Sequence, residues 1–154
     1  MGCYSKGQRV GVPNVPQTSL NNVSQLTEGK KGGHMSNANI DSVIAVVPVK
    51  NQAEAVAWYK KLLGRYADIV PVDGVAEWQL AENAWLQVTT DPERAGSTTV
   101  IVSVNDLDVQ RTACAEANVL LGEVVEYPNI VKMADVADPD GNKVAFVQDI
   151  SGGA

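Results

Sequence analysis

Between Val43 and Asp149 the chain runs twice through one order of elements, and this repetition restricts its fold more than any other feature. In the first pass, the β-branched run Val43-Ile-Ala-Val-Val-Pro-Val49 predicts a strand. Pro48 marks a strand edge or end, because it has no N–H to give to a ladder. Asn51 then caps a helix over residues 52–63, where Ala55, Trp58, Tyr59, Leu62 and Leu63 recur at helical spacing and Gly64 supplies the stop. Three short strands are expected at 68–72, 75–81 and 84–89, separated by Asp73-Gly74 and Glu82-Asn83, both candidates for two-residue hairpin turns. The run Asp91-Pro-Glu-Arg-Ala-Gly96 interrupts regular structure and divides the halves.

The second pass gives a strand at 98–104, a helix opening near Asp106 and running over about 109–118, and strands at 122–126, 131–137 and 143–149. Tyr127-Pro128-Asn129 reads as a loop. Each half is β-α-β-β-β, and neither can bury its apolar faces alone. The expected fold is therefore α+β, with two βαβββ repeats forming a curled mixed sheet around a concave cleft. The halves fall at about 40–92 and 97–150.

A length of 154 residues supports one domain with a proper core. Apolar residues at 45% and charged residues at 19% place it among folded chains. Residues 1–35 stand apart, being polar, rich in Gly, Asn and Ser, and without periodicity. They are expected to be a flexible leader or appended segment ahead of a domain at 36–154, with Gly33-His34-Met35 as the junction. Met1-Gly2-Cys3 resembles an acylation signal only superficially. The leader holds Lys6, Arg9, Lys30 and Lys31 against Glu28, so the net charge of −6 divides into +3 there and −9 in the domain. Such a domain repels phosphate backbones and anionic lipid, and no nucleic acid or membrane partner is expected. No apolar run approaches a membrane span. Cys3 and Cys114 form no disulfide framework, and Cys114 is expected to be a small half-buried side chain with no His in the domain to act as its base. A cytoplasmic location is expected.

The segment Val49-Lys-Asn-Gln-Ala-Glu-Ala-Val-Ala-Trp-Tyr-Lys-Lys-Leu-Leu-Gly64 resembles the first strand-helix unit of the vicinal oxygen chelate superfamily, which includes glyoxalase I, extradiol dioxygenases and bleomycin-resistance proteins. Val104-Asn-Asp-Leu-Asp108 is similar to the entry of that fold's second helix, and Asp138-Pro-Asp-Gly-Asn142 to the turn before its last strand. The catalytic members hold one divalent metal through His, Glu or Gln on concave strand faces, and the resemblance puts those places at Ile44, Gln87, Thr99 and Ala145. Three good donors are wanted and only Gln87 is one, while the single His, His34, lies in the leader. Neither Ser42 and Ser103 nor Gln148 and Asp149 mends the set under a shift of alignment. No metal, cofactor or catalytic residue is therefore expected. The nearest likeness is the metal-free bleomycin-resistance branch, which implies a homodimer.

By strand alternation Trp85 shares the face of Gln87, Ile101 and Ser103 share that of Thr99, and Val46 shares that of Ile44. Together with Trp78 and an inward Asp135, these residues make an apolar, aromatic pocket with a few polar groups, the usual make-up of an organic-ligand site. Glu77, Glu82 and Glu126 read as surface charges. The function expected is metal-independent binding or sequestration of an aromatic or amphipathic small molecule, with Asp135 and the negative domain favouring a cationic one. Two alternatives stand beside it: a metal-dependent lyase, isomerase or dioxygenase of the same superfamily, and a non-catalytic dimeric interaction module.

Overall fold

The computed structural model describes residues 39–152, and the leader expected at 1–35 lies outside them. The elements are β1 (Val43–Val49), α1 (Gln52–Leu63), β2 (Ile69–Val72), β3 (Val75–Ala81), β4 (Ala84–Thr90), β5 (Thr99–Ser103), α2 (Leu107–Glu116), β6 (Val125–Tyr127), β7 (Val131–Ala137) and β8 (Lys143–Asp149). The two βαβββ repeats are present. They form two four-stranded sheets, β1-β4-β3-β2 and β5-β8-β7-β6, and no ladder joins the sheets among the described residues. In each, the first strand pairs in parallel with the fourth, and the other pairs are antiparallel. This is the α+β architecture expected, with the curled sheet resolved into two.

Local chemistry sets the helix ends. The Asn51 side chain accepts from the Glu54 N–H at 3.0 Å, and Gly64, at φ 74°, turns the chain out of α1. Helix α2 begins at Leu107, two residues ahead of the expected start, because the Asp106 carboxylate accepts from the N–H groups of Asp108 and Val109. It stops at Glu116, short of Asn118. There Asn118 takes φ 61° and Val119 donates back to the Cys114 carbonyl at 2.8 Å, a reversal in which asparagine fills the left-handed place usually held by glycine. Strand β6 is shorter than expected and shifted to include Tyr127. The turn that follows, with Pro128 second and Asn129 third at φ 58°, closes by an Ile130 N–H to Tyr127 carbonyl bond and fixes where pairing can start.

One face of each sheet packs under a helix: α1 lies on β4, α2 on β7 and β8, and the two helices touch each other. The resulting core is one cluster spanning both halves, with Val47, Tyr59, Leu62, Trp78, Leu86 and Val88 from the first and Leu107, Cys114, Val144 and Phe146 from the second. Each large apolar side chain so buried contributes about 1.5–3 kcal/mol.

A buried polar joint also binds the halves. Asp138 and Asn142, 6% and 1% exposed, lie in the turn before β8. The Asp138 carboxylate accepts from the local N–H groups of Asp140 and Asn142. It also accepts from the Tyr59 hydroxyl of α1 at 2.9 Å and from the Asn142 amide at 2.8 Å. That amide donates to the Pro48 carbonyl of β1, while its oxygen accepts from the N–H groups of Gly96 and Thr98. Gly96 is at φ 94°, and a Cβ there would lie 2.5 Å from the Asp140 carbonyl oxygen, so only glycine lets the linker approach the turn this closely.

Candidate functional site: the open sheet faces

Because the helices cover one face of each sheet, the other faces hold whatever site the fold offers. On the first sheet, register sets Val46, Gln87, Glu77 and Ile69 side by side across all four strands. Ile44, Trp85 and Gln79 form the row on one side of them, and Pro48, Thr89 and Val75 the row on the other. A polar chain crosses the middle: the Thr89 hydroxyl donates to the Gln87 side-chain oxygen at 2.8 Å, and the Gln87 amide donates to Glu77 Oε1 at 2.7 Å. On the second sheet the rows are Thr99, Lys143 and Ala137; Ile101, Ala145 and Asp135; and Ser103, Val147, Met133 and Val125.

Seven of the eight expected pocket residues therefore stand on these faces, Val46, Trp85 and Gln87 on one and Thr99, Ile101, Ser103 and Asp135 on the other. The faces are exposed: Val46 is 46% and Ile101 68% accessible. Trp78 is a correction. It is 0% exposed, packs against Tyr59 of α1 and donates its indole N–H to the Arg65 carbonyl at 3.1 Å. The cause is a bulge in β3. Ala81 pairs with Ala84 but Gln79 pairs with Trp85, so one extra residue enters the strand and Trp78 falls opposite the buried Leu86 instead of beside Gln87.

Glu77, expected to be a surface charge, is the residue sequence reasoning missed. It is half-buried and stands next to Gln87 in the central row. Its signal was present in the alternation of Ala76, Glu77 and Trp78, once Trp78 is known to face the helix. The repeat gives it a counterpart. Val46 and Ile101 each lie five residues before their helix caps, Asn51 and Asp106, so the row Val46, Gln87, Glu77 matches the row Ile101, Ala145, Asp135.

The places to which the resemblance assigns metal ligands, Ile44, Gln87, Thr99 and Ala145, also lie in these rows, with Ala145 itself buried between its neighbours. Ile44 and Ala145 have no lone pair to give, Thr99 offers a neutral hydroxyl, and the Gln87 amide is engaged at both ends. This donor set does not fit a divalent metal. Among the described residues no group of three or more His, Cys, Asp or Glu could hold one elsewhere. Cys114 is buried under α1 with its sulfur 3.7 Å from the Leu62 carbonyl, and burial pushes its thiol above the ordinary range, so it is a packing residue. A groove lined by Asp106, Asp108, Val109, Thr112, Ala113 and Glu116 lies on α2, on the helix side of the sheet and away from both open faces.

A glyoxalase/bleomycin resistance protein from Catenulispora acidiphila DSM 44928 is 34% identical, over 70% of this chain and 96% of that one, with a TM-score of 0.67. The chain belongs to the glyoxalase/bleomycin resistance family. Two further solved structures show the same fold at lower identity. TnmS3, an antibiotic binding protein from Streptomyces sp. CB03234, is 22% identical, covers 75% of this chain and 99% of its own, and has a TM-score of 0.59. Lactoylglutathione lyase from Agrobacterium tumefaciens is 14% identical over 72% and 95% of the two chains, with a TM-score of 0.58. No family model matches the sequence, and no curated protein matches it. The same fold thus recurs in an antibiotic binding protein and in a lyase, and fold alone does not choose between binding and catalysis. Among the described residues no helix is long and apolar enough to cross a membrane.

Proposed function

We propose that this chain binds a small aromatic or amphipathic organic molecule on its open sheet faces and releases it unaltered, without a metal. The observation that carries this reading is the content of the rows. Val46, Trp85 and Gln87 on one sheet, with Thr99, Ile101, Ser103 and Asp135 on the other, give apolar and aromatic surface punctuated by a few oriented polar groups. The antibiotic binding of TnmS3 supports the choice of binding over catalysis. So does the donor set at Ile44, Gln87, Thr99 and Ala145, which cannot polarise a substrate through a bound cation.

The binding unit is proposed to be a homodimer. Both open faces leave apolar side chains in solvent, including Ile44, Val46, Ile101 and Val125, and a second copy would turn two shallow faces into enclosed clefts. A cytoplasmic location agrees with the unpaired, buried Cys114. Tryptophan fluorescence titration against a library of aromatic and amphipathic compounds tests the reading, with sedimentation to measure the dimer. Quenching that disappears in Trp85→Phe and persists in Trp78→Phe is expected. Stabilising compounds that never alter Trp85 emission would refute the pocket.

A further inference from the structure

Resting on that binding reading, we infer that Glu77 makes the open face of the first sheet a seat for an organic cation with a flat apolar body. Within the three rows of that face, Glu77 is the one charged side chain. Its neighbours along the central row are Val46, Gln87 and Ile69, and Trp85 stands on the diagonal, within reach of anything lying over the carboxylate. No Lys or Arg among the described residues forms an ion pair with it; the three pairs present, Arg65–Asp68, Arg94–Asp91 and Lys132–Asp108, lie elsewhere.

The carboxylate is also aimed. Thr89 donates to the Gln87 oxygen, which leaves the amide nitrogen to face Glu77, and that nitrogen holds Oε1. Among the described residues nothing donates to Oε2, which remains for a ligand. An anion held this way in a half-buried apolar surround is screened less than one in open water, and an aromatic face beside it adds a second attraction for positive charge. The matching residue of the other half, Asp135, shares its sheet face with Lys143, which offsets it. That asymmetry assigns the cation to Glu77.

The test uses the full chain and three planar dyes: acridine orange (cationic), N-phenyl-1-naphthylamine (neutral) and 1-anilinonaphthalene-8-sulfonate (anionic), each titrated by fluorescence. Wild type is expected to prefer the cation. Glu77→Gln keeps an oxygen for the Gln87 amide and should weaken acridine orange about tenfold, the worth of one charge-assisted contact, while the neutral dye changes by less than about twofold. Glu77→Lys should reverse the order of the two charged dyes, and Glu116→Gln, on α2 and away from both open faces, should leave it intact. Equal weakening of all three dyes by Glu77→Gln, or none, overturns the inference while the binding reading survives. If none of the dyes binds wild type, the binding reading falls and this one with it.

Discussion

The molecule uses the same three functional groups, a carboxylate, an amide and a hydroxyl, in two places with opposite consequences. At the joint they are Asp138, Asn142 and Tyr59, buried where the turn before β8 meets α1 and the end of β1. On the open face they are Glu77, Gln87 and Thr89, in line across β3 and β4 and partly exposed to solvent. At the joint every buried side-chain polar atom is satisfied internally, so nothing is left for a ligand and the groups serve the architecture. On the open face one carboxylate oxygen has no internal donor among the described residues. Burial, more than chemistry, separates a triad closed on itself from one with an acceptor left open.

The sharpest way to break this comparison is at the joint. Asn142→Ala removes the side-chain partner of Gly96, Thr98, Pro48 and Asp138 at once, leaving several part-buried backbone groups unpaired and the Asp138 carboxylate short of one donor, so a loss of about 3–5 kcal/mol in urea unfolding is expected. A loss under about 1 kcal/mol would mean that water replaces the joint freely.

Trp78→Phe should cost about 2 kcal/mol, for lost packing and for the Arg65 carbonyl left without its indole donor. Trp85→Phe, on the open face, should cost under about 1 kcal/mol. Equal losses in thermal melts would contradict the opposite facing of the two tryptophans.

Tyr59→Phe should cost about 1–2 kcal/mol at neutral pH. Burial first, and then the charge and hydrogen bond of Asp138, raise the folded Tyr59 well above its ordinary value of 10.0. The folded state therefore keeps a proton that the unfolded state loses, and stability falls as pH rises beyond about 10. Tyr59→Phe lacks this loss, so the gap between the two proteins should narrow with increasing alkalinity. A gap that widens would show the tyrosinate to be tolerated at the joint.

The smallest effect on stability is expected at the open-face triad. Glu77→Gln should shift unfolding by less than about 0.5 kcal/mol, because a half-exposed carboxylate loses only one amide contact that the new side chain can still accept. A destabilisation comparable to that of Asn142→Ala would make the two triads alike.

Much of this was legible in one dimension. The β-branched runs gave β1, β3, β7 and β8 their bounds, and Asn51 and Gly64 bracketed α1, because strand and helix periodicity and capping are local properties. The alternation that put Trp85 with Gln87, and Ile101 with Thr99, held for the same reason. The start of α2 was missed because Asp106 caps more tightly than the apolar pattern suggests, and β6 because its turn, rather than its composition, sets its register.

What the sequence by itself determined was the repeat, and with it the order of elements in the two βαβββ halves. Only the tertiary structure decided which carboxylate serves architecture and which is left open. A single extra residue in β3 turned Trp78 into the core, and the packing of the Asp138 turn against β1 and α1 buried groups that local rules describe only as a turn. Both outcomes depend on register and long-range contact, which bring together residues that no local pattern relates.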